Sequence, residues 1–322
     1  MSTMSPGSGA APSERPGRLG VGVVGAGRVG AVLGSALRAA GHVVVGASGI
    51  SEESQERISV LLPGVPHCEV TEVVERAELV LLTVPDDALP GLVTGLAELG
   101  AWQPGQLVVH TSGRFGTAVL GPVRAAGAIP LAIHPAMTFS GTSMDLSRIV
   151  ECCFAVTADA PFLPIAQALV VEIGGEPVVV AENARPLYHA ALVHGSNHLV
   201  VLVAQATQAL AEAGIADAGQ FLGPLLRAAL DGALRSEPGS VAALTGPVVR
   251  GDAGTVRAHL AELTRFAARE PRAGDIPASY RALARASVQR ALAAGRLRED
   301  QAASVLDAVS YTHLTLPTNR EV

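Results

Sequence analysis

The feature that most constrains the fold is a glycine-rich turn near the start of the chain. An apolar stretch at 19–24 comes directly before it, and a helical pattern over 28–40 follows at once. Gly25 is expected to make the tight turn, Gly27 to let a ligand approach the backbone, and Gly30 to let the helix pack against the strand. The turn reads Gly25-Ala26-Gly27-Arg28-Val29-Gly30. A strand, a glycine turn and a helix in this order predict the first unit of an α/β domain.

The first half of the chain continues to alternate short apolar runs with helical patterns, which is typical of a parallel sheet with crossover helices. Strands are predicted near 19–24, 42–47, 67–70, 79–84, 106–111, 129–134, 153–157 and 177–180. After residue 181 only Ala- and Leu-rich helical segments follow, near 184–213, 218–236, 253–268, 277–294 and 299–309. We therefore expect an α/β fold in which a Rossmann-like doubly wound parallel sheet is followed by an all-helical second domain.

The chain of 322 residues is expected to divide into four parts. Residues 1–17 are rich in Ser, Pro, Gly and Ala and lack the apolar core of a secretory signal. They predict a disordered tail and a cytoplasmic protein. A dinucleotide-binding domain over 18–180 and a helical substrate or dimerisation domain over 181–309 follow. The Thr-rich segment 310–322 comes after a helix that ends cleanly, and we interpret it as a non-native tail.

Composition excludes several classes of function. A net charge of −6 argues against a nucleic-acid partner, which would need a basic face. All 23 basic residues are arginine, so no mechanism that needs a lysine is open to this chain. The three cysteines have no metal-ligand spacing, and we expect no metal. The most apolar helical stretch, 190–206, is interrupted by His194, Asn197 and His198, so we expect no membrane partner.

The glycine turn predicts a dinucleotide, because free N–H groups at the start of the helix would face its phosphates. NAD sites usually place an acid at the end of the second strand, but here Ser48 stands in that region. This favours NADP(H), with NAD(H) as the less favoured alternative. Ser48 and Ser51 could donate to the extra phosphate, with Arg57 a more distant candidate. The turn after residue 83, with Val84 and Pro85, should also line the cofactor.

Two later strand ends carry groups suited to proton transfer or substrate binding. His134 comes just before Pro135, and it either donates a proton or fixes the turn. Ser112 follows the preceding strand and is expected to position the substrate. His110 lies inside that strand, which favours a structural role.

The helical half supplies a second set of candidates. On a helix, His189, Ser196 and Asn197 fall on one broad face. We expect His189 to transfer a proton, with Ser196 and Asn197 in contact with the substrate. Thr245 and Arg250 lie in a polar loop, in which Arg250 either binds a substrate carboxylate or forms an ion pair with Asp252.

These residues together carry a resemblance that covers about residues 19–309. It rests on the glycine turn and on His134-Pro135, Tyr188-His189-Ala190-Ala191, Ser196-Asn197 and Thr245-Gly246-Pro247-Val248-Val249-Arg250-Gly251-Asp252. The chain resembles a bacterial family that joins a Rossmann-like NADP-binding domain to a helical domain of unknown function. That family is related to ketopantoate reductases, pyrroline-carboxylate reductases and deazaflavin-dependent NADP oxidoreductases.

The resemblance also suggests roles for single residues. His189 falls where ketopantoate reductases carry their catalytic lysine, and Asn197 matches one of their asparagines. Prephenate-type dehydrogenases carry a serine and a His-Pro turn, and Ser112 and His134 are similarly placed here. The lysine of both families has no counterpart.

The leading hypothesis is an NADP(H)-dependent oxidoreductase that acts on a CH-OH or CH-NH group of a small carbonyl or imine acid. The alternatives are a prephenate-type dehydrogenase and a non-catalytic NADP-sensing protein. A homodimer through the helical domain is also expected, with the long apolar helix over 184–213 as one dimer face.

Overall fold

The computed structural model describes residues 18–237 and 239–310. The tails expected at 1–17 and 310–322 therefore lie outside the described residues, apart from Ser310. The chain forms two compact units that divide between Gly195 and Ser196. The sequence placed this division near residue 181, but the structure puts it inside a long helix. The first three turns of that helix therefore belong to the first unit.

The first unit contains one seven-stranded sheet in the order β2-β1-β3-β4-β5-β6-β7. Its strands are β1 (Gly20–Val24), β2 (Val43–Ser48), β3 (Leu79–Leu82), β4 (Leu107–His110), β5 (Ile129–Pro135), β6 (Cys153–Thr157) and β7 (Glu176–Val179). All neighbouring strands run parallel except β5 and β6. The Rossmann-like α/β fold is thus confirmed, with one antiparallel pair that the sequence analysis did not predict.

Eight helices connect or follow these strands. They are α1 (Arg28–Ala39), α2 (Glu52–Leu61), α3 (Val70–Arg76), α4 (Leu89–Glu98), α5 (Gly121–Ala125), α6 (Met144–Ile149), α7 (Leu163–Glu172) and α8 (Arg185–Glu212). Short 3-10 turns at Thr117–Leu120 and Glu182–Ala184 precede α5 and α8. Ser51 caps α2, since its side chain accepts a hydrogen bond from the Ser54 amide at 3.2 Å.

Alternating side chains of the strands build a core on each face of the sheet. Val23 and Leu81 face α1, α2 and α7, whereas Val80 and Leu82 face α3, α4 and α5. Both faces are buried, which explains why the strands read as continuous apolar runs. With both faces covered by helices, the carboxyl edge of the sheet is left to hold a site.

The prediction of a strand at 67–70 is wrong. Only His67 forms an isolated bridge, to Ala47, and α3 begins at Val70. Val73 and Val74 are fully buried, and with Val70 they stand at helical spacing, so the apolar pattern there has a period near 3.6.

The described part of the second unit is helical, as predicted. After α8 come α9 (Ala218–Leu234), α10 (Ala253–Arg269), α11 (Ile276–Ala293) and α12 (Glu299–Val309). Helices α10, α11 and α12 share a core around Val256, Val288 and Val305, all fully buried. Asp252 caps α10 by accepting from the Thr255 amide at 3.0 Å.

One helix in the described residues, Glu182–Glu212, is long and apolar enough to cross a bilayer by length and composition alone. None of the most apolar window of this helix is buried. Some of its apolar side chains are exposed, among them Val200, Val201 and Leu202.

Candidate active site at the carboxyl edge of the sheet

The glycine turn between β1 and α1 has the geometry that its sequence predicts. Gly25 adopts a left-handed conformation with φ +85°. The amides of Gly25 and Ala26 both donate to the carbonyl of Ser48, at 3.1 and 2.7 Å. A Cβ atom at Gly30 would lie 2.6 Å from the Gly25 carbonyl oxygen and would also collide with Thr83, so α1 packs too closely for any side chain.

Gly27 is different, because the space around it is open. The nearest atom that a Cβ there would meet is the Gly25 carbonyl oxygen, at 3.9 Å. Gly27 is also the N-cap of α1, where no side chain caps the helix and no acidic residue stands in the first turn. The first N–H groups of α1 are therefore available to an anion, and the open space fits a pyrophosphate.

The end of β3 closes one side of this turn. The Thr83 hydroxyl donates to the Gly25 carbonyl at 2.6 Å, and Val84 Cγ1 lies 3.0 Å from the Cβ position of Gly25. Pro85 is exposed at the same edge. The sequence analysis expected this turn to line the cofactor, but it did not predict the hydrogen bond from Thr83 to Gly25.

Ser48 is buried and forms hydrogen bonds with the glycine turn. It is 7% exposed, and its hydroxyl lies 3.4 Å from the Gly25 amide. Ser51 is exposed but is occupied in capping α2. No acidic residue ends β2, so the feature that favoured NADP(H) is present in the structure as well.

Hydrogen bonds from buried side chains fix the turn after β4. His110 is fully buried, its Nε2 lies 2.8 Å from the Gly116 carbonyl, and its Nδ1 accepts from the Ser112 amide. Burial lowers the pKa of His110 to about 4. The Ser112 hydroxyl is buried and accepts from the Phe115 amide at 3.2 Å. Both side chains shape this turn.

Three aromatic side chains meet at the ends of β4 and β5. His134 Nδ1 lies 2.9 Å from the Tyr188 hydroxyl, and its ring makes an edge contact with His189 at 6.1 Å between centroids. The backbone at Gly113 closes the group, since a Cβ there would lie 2.7 Å from His189 Cδ2 and 2.9 Å from His134 Nε2. We refer to His134, Tyr188 and His189 as the histidine–tyrosine cluster.

The surroundings of His134 determine its protonation state. Burial lowers its pKa to about 4, and the positive charge of Arg185 acts in the same direction. His134 is therefore a neutral imidazole at pH 7. Burial also raises the pKa of Tyr188, while Arg185 opposes that change. The phenol consequently keeps its proton at neutral pH.

Arg185 lies beneath the cluster and is fully buried. It donates to the carbonyls of Ser112, Ala132 and Ala155 at 3.1, 2.8 and 3.0 Å, and to the Thr157 hydroxyl at 2.8 Å. Ser112 follows β4, Ala132 lies in the middle of β5, and Ala155 and Thr157 belong to β6. One guanidinium therefore joins three neighbouring strands to the start of α8. The sequence analysis did not name Arg185, and it named Tyr188 only within the motif that carries the resemblance, without a role.

The second unit holds the remaining candidates. Ser196 and Asn197 are exposed neighbours on α8, and the Ser196 hydroxyl donates to the Asn197 side chain at 3.2 Å. Thr245 and Arg250 are exposed in the loop before α10. Asp252 bonds to the Thr255 hydroxyl at 2.6 Å, and no Arg250–Asp252 ion pair forms among the described residues. The described ranges also contain no cluster of three or more potential metal ligands.

Comparison with known proteins agrees with this architecture. Residues 4–135 match the family model of a Rossmann-like domain, and residues 152–287 match a domain of unknown function, DUF2520. No curated protein gives a significant sequence match.

Several solved structures share the fold. A Bacteroides fragilis protein assigned as an NADP oxidoreductase has a TM-score of 0.68 at 23% identity, covering 84% of this chain and 97% of its own. An imine reductase from Pseudomonas sp. has a TM-score of 0.59 at 17% identity, covering 91% of this chain and 100% of its own. A Thermotoga maritima protein has a TM-score of 0.53 at 21% identity, covering 83% of this chain and 99% of its own. At these identities the likeness establishes the fold.

Proposed function

Since the chain joins a Rossmann-like domain to a DUF2520 domain, we propose that it is an NADP(H)-dependent oxidoreductase that reduces a small carbonyl or imine acid. One observation carries this proposal. A glycine turn open at Gly27 and the histidine–tyrosine cluster lie on the same carboxyl edge of one sheet. This edge is where doubly wound sheets bind their ligands.

The spacing of the strands suits a dinucleotide lying across this edge. Strand β5, which carries His134, is three strands away from β1. At the usual separation between strands the distance is about 14 Å. The pyrophosphate would lie on the N–H groups after Gly27, and the nicotinamide half would extend toward the ends of β4 and β5. NADP(H) would supply the hydride there.

The chain's own residues would supply the proton. Because His134 is neutral at pH 7, it is a poor proton source and suits a role as hydrogen-bond partner of the Tyr188 phenol. Tyr188 would then donate the proton, and His134 Nδ1–H would stabilise the negative charge that develops on the phenol oxygen. His189, in edge contact with the His134 ring, would contact the substrate beside them.

The solved structures are consistent with this assignment. The Bacteroides fragilis protein is assigned as an NADP oxidoreductase, and the Pseudomonas protein is an imine reductase. A prephenate-type site receives less support, because the Ser112 hydroxyl is buried and already bonded.

NADPH consumption with a panel of 2-keto acids and cyclic imines tests the proposal. Tyr188→Phe should lower turnover at least ten-fold, because it removes the phenol proton. Tyr280→Phe is a matched control, since Tyr280 lies 2.9 Å from His259 Nδ1 in the second unit. Binding of NADPH without turnover of any panel member would favour the sensing protein and contradict the enzyme.

We also propose a cytoplasmic homodimer through the helical unit. In α9 only Ala218 is buried, and Phe221, Leu225 and Leu234 are 63%, 67% and 75% exposed. On α8, Val200 is 69% exposed. A second copy that covers these helices would bury roughly the 800 Å² per partner of a standard interface.

Light scattering tests the dimer. The wild-type chain should elute as a dimer, and Leu234→Asp should yield a monomer. Leu99→Asp is the control, because Leu99 is 72% exposed in the first unit. A monomeric wild type would contradict the proposal.

A further inference from the structure

Two arginines converge beside the glycine turn. Arg28 is the first residue of α1, and Arg57 lies on the second turn of α2. Both flank Gly141, because a Cβ there would lie 2.9 Å from Arg28 Cγ and 3.0 Å from Arg57 Nε. Two side chains from separate helices are therefore neighbours at one point on the surface of the first unit.

A buried carboxylate fixes the turn that brings them together. Asp145 is fully buried and accepts from the Gly141 amide at 2.8 Å and from the Ser140 hydroxyl at 2.9 Å. The guanidinium of Arg148 lies 3.3 Å from Oδ1 of Asp145. Burial raises the pKa of Asp145, but these hydrogen bonds outweigh burial and lower it overall. The charge of Asp145 is thus stabilised by the turn and by Arg148.

The charges of Arg28 and Arg57 have no such partner. Within residues 18–237 and 239–310, neither guanidinium has a carboxylate oxygen within 4.0 Å. Glu53 stands one turn before Arg57, and its pKa is lowered mainly by the Ser51 hydroxyl, with the charge of Arg57 a smaller cause. Arg28 is exposed and Arg57 is half-buried, so an anion can reach both. Two arginine side chains that start from neighbouring positions can direct both guanidinium groups at a single phosphate.

The positions of Arg28 and Arg57 indicate which phosphate of a bound dinucleotide they would contact. When a pyrophosphate lies on the glycine turn, the adenosine ribose lies at the carboxyl end of β2, the strand that leads into α2. No acid ends β2, and the nearest acids that follow it along the chain, Glu52 and Glu53, belong to the first turn of α2. We propose that Arg28 and Arg57 bind the 2′-phosphate of NADP(H) and thereby set the preference for NADP(H) over NAD(H). This inference rests on the proposed function. It makes Arg57, which the sequence analysis named only as a more distant candidate after Ser48 and Ser51, a principal ligand and adds Arg28.

Calorimetric titration of the full chain with NADPH and with NADH tests the proposal. Arg57→Ala should weaken NADPH binding roughly 10-fold to 100-fold, because it removes charge-assisted hydrogen bonds. NADH binding should stay within about two-fold, since NADH has no 2′-phosphate. Arg28→Ala should act in the same direction. Arg38→Ala is the matched control, because Arg38 ends the same helix as Arg28 and donates to the Pro63 carbonyl at 2.8 Å.

Adenosine 2′,5′-bisphosphate and 5′-AMP serve as smaller probes. Wild-type protein should bind the bisphosphate more tightly, and Arg57→Ala should remove that difference. Equal weakening of NADPH and NADH by Arg57→Ala would overturn the proposal, because the arginine would then hold the pyrophosphate. Equal affinity of the wild type for both cofactors would overturn it as well, while leaving dinucleotide binding intact. If the wild type binds neither cofactor, the proposed function fails together with this inference.

Discussion

Replacement of Gly27 by Asp should separate cofactor binding from stability. The substituted position has φ −71° and is the N-cap of α1, where Asp is among the preferred residues. No protein atom stands closer than 3.9 Å to the new Cβ. A better cap and a favourable interaction with the helix dipole should stabilise the cofactor-free protein by about 0.5–1 kcal/mol.

The same carboxylate should abolish NADPH binding. It would lie about 4 Å from the pyrophosphate, where two like charges repel by about 4 kcal/mol at the effective dielectric of a protein surface. That energy corresponds to a loss of affinity of roughly 1,000-fold. Gly27→Asn fills similar space without the charge, so it should weaken binding less.

Urea unfolding and calorimetric titration with NADPH measure the two effects. We expect the midpoint of unfolding of Gly27→Asp to stay the same or rise, with no detectable NADPH binding. Unchanged NADPH affinity would refute the placement of the pyrophosphate. A variant that unfolds much more readily would show that the space at Gly27 is filled.

Three further predictions follow from the same edge of the sheet. Gly30→Ala should lower the free energy of unfolding by about 1–3 kcal/mol, because its Cβ collides with Gly25 and Thr83; urea unfolding no easier than wild type would contradict this. His189→Ala should lower turnover while NADPH affinity stays within about two-fold; a fully active variant would refute the role. Since burial lowers the pKa of His110 and of His134 from 6.5 to about 4, the unfolded state binds more protons between these values. Each should therefore lower stability by up to about 3 kcal/mol as pH falls from 7 to 4, a loss that His110→Asn should reduce in urea unfolding.

Local signals determined much of the fold and of the glycine turn. The conformation of residues 25–30 could be predicted from these residues alone. The positive φ of Gly25 and the close packing at Gly30 both require glycine. The predicted strand at 67–70 failed because so short a run fits either a strand or the start of a helix. Only Val73 and Val74 beyond it reveal the helical period.

The histidine–tyrosine cluster could be predicted only in part. His134 and His189 stood out because histidine suits proton transfer, yet nothing local shows that they meet. Arg185 joins the start of α8 to β5 through a hydrogen bond to Ala132, 53 positions away in sequence. A buried arginine that links elements so distant in sequence leaves no periodic signal in the chain.

The transfer of deuterium from NADPH labelled at C4 tests the central claim most directly. The account predicts that wild-type protein passes the label to carbon in at least one 2-keto acid or cyclic imine of the panel. Tyr188→Phe should pass it at least ten-fold more slowly while still binding NADPH. Binding of NADPH with no label in any product, or an unchanged rate in Tyr188→Phe, would contradict the account.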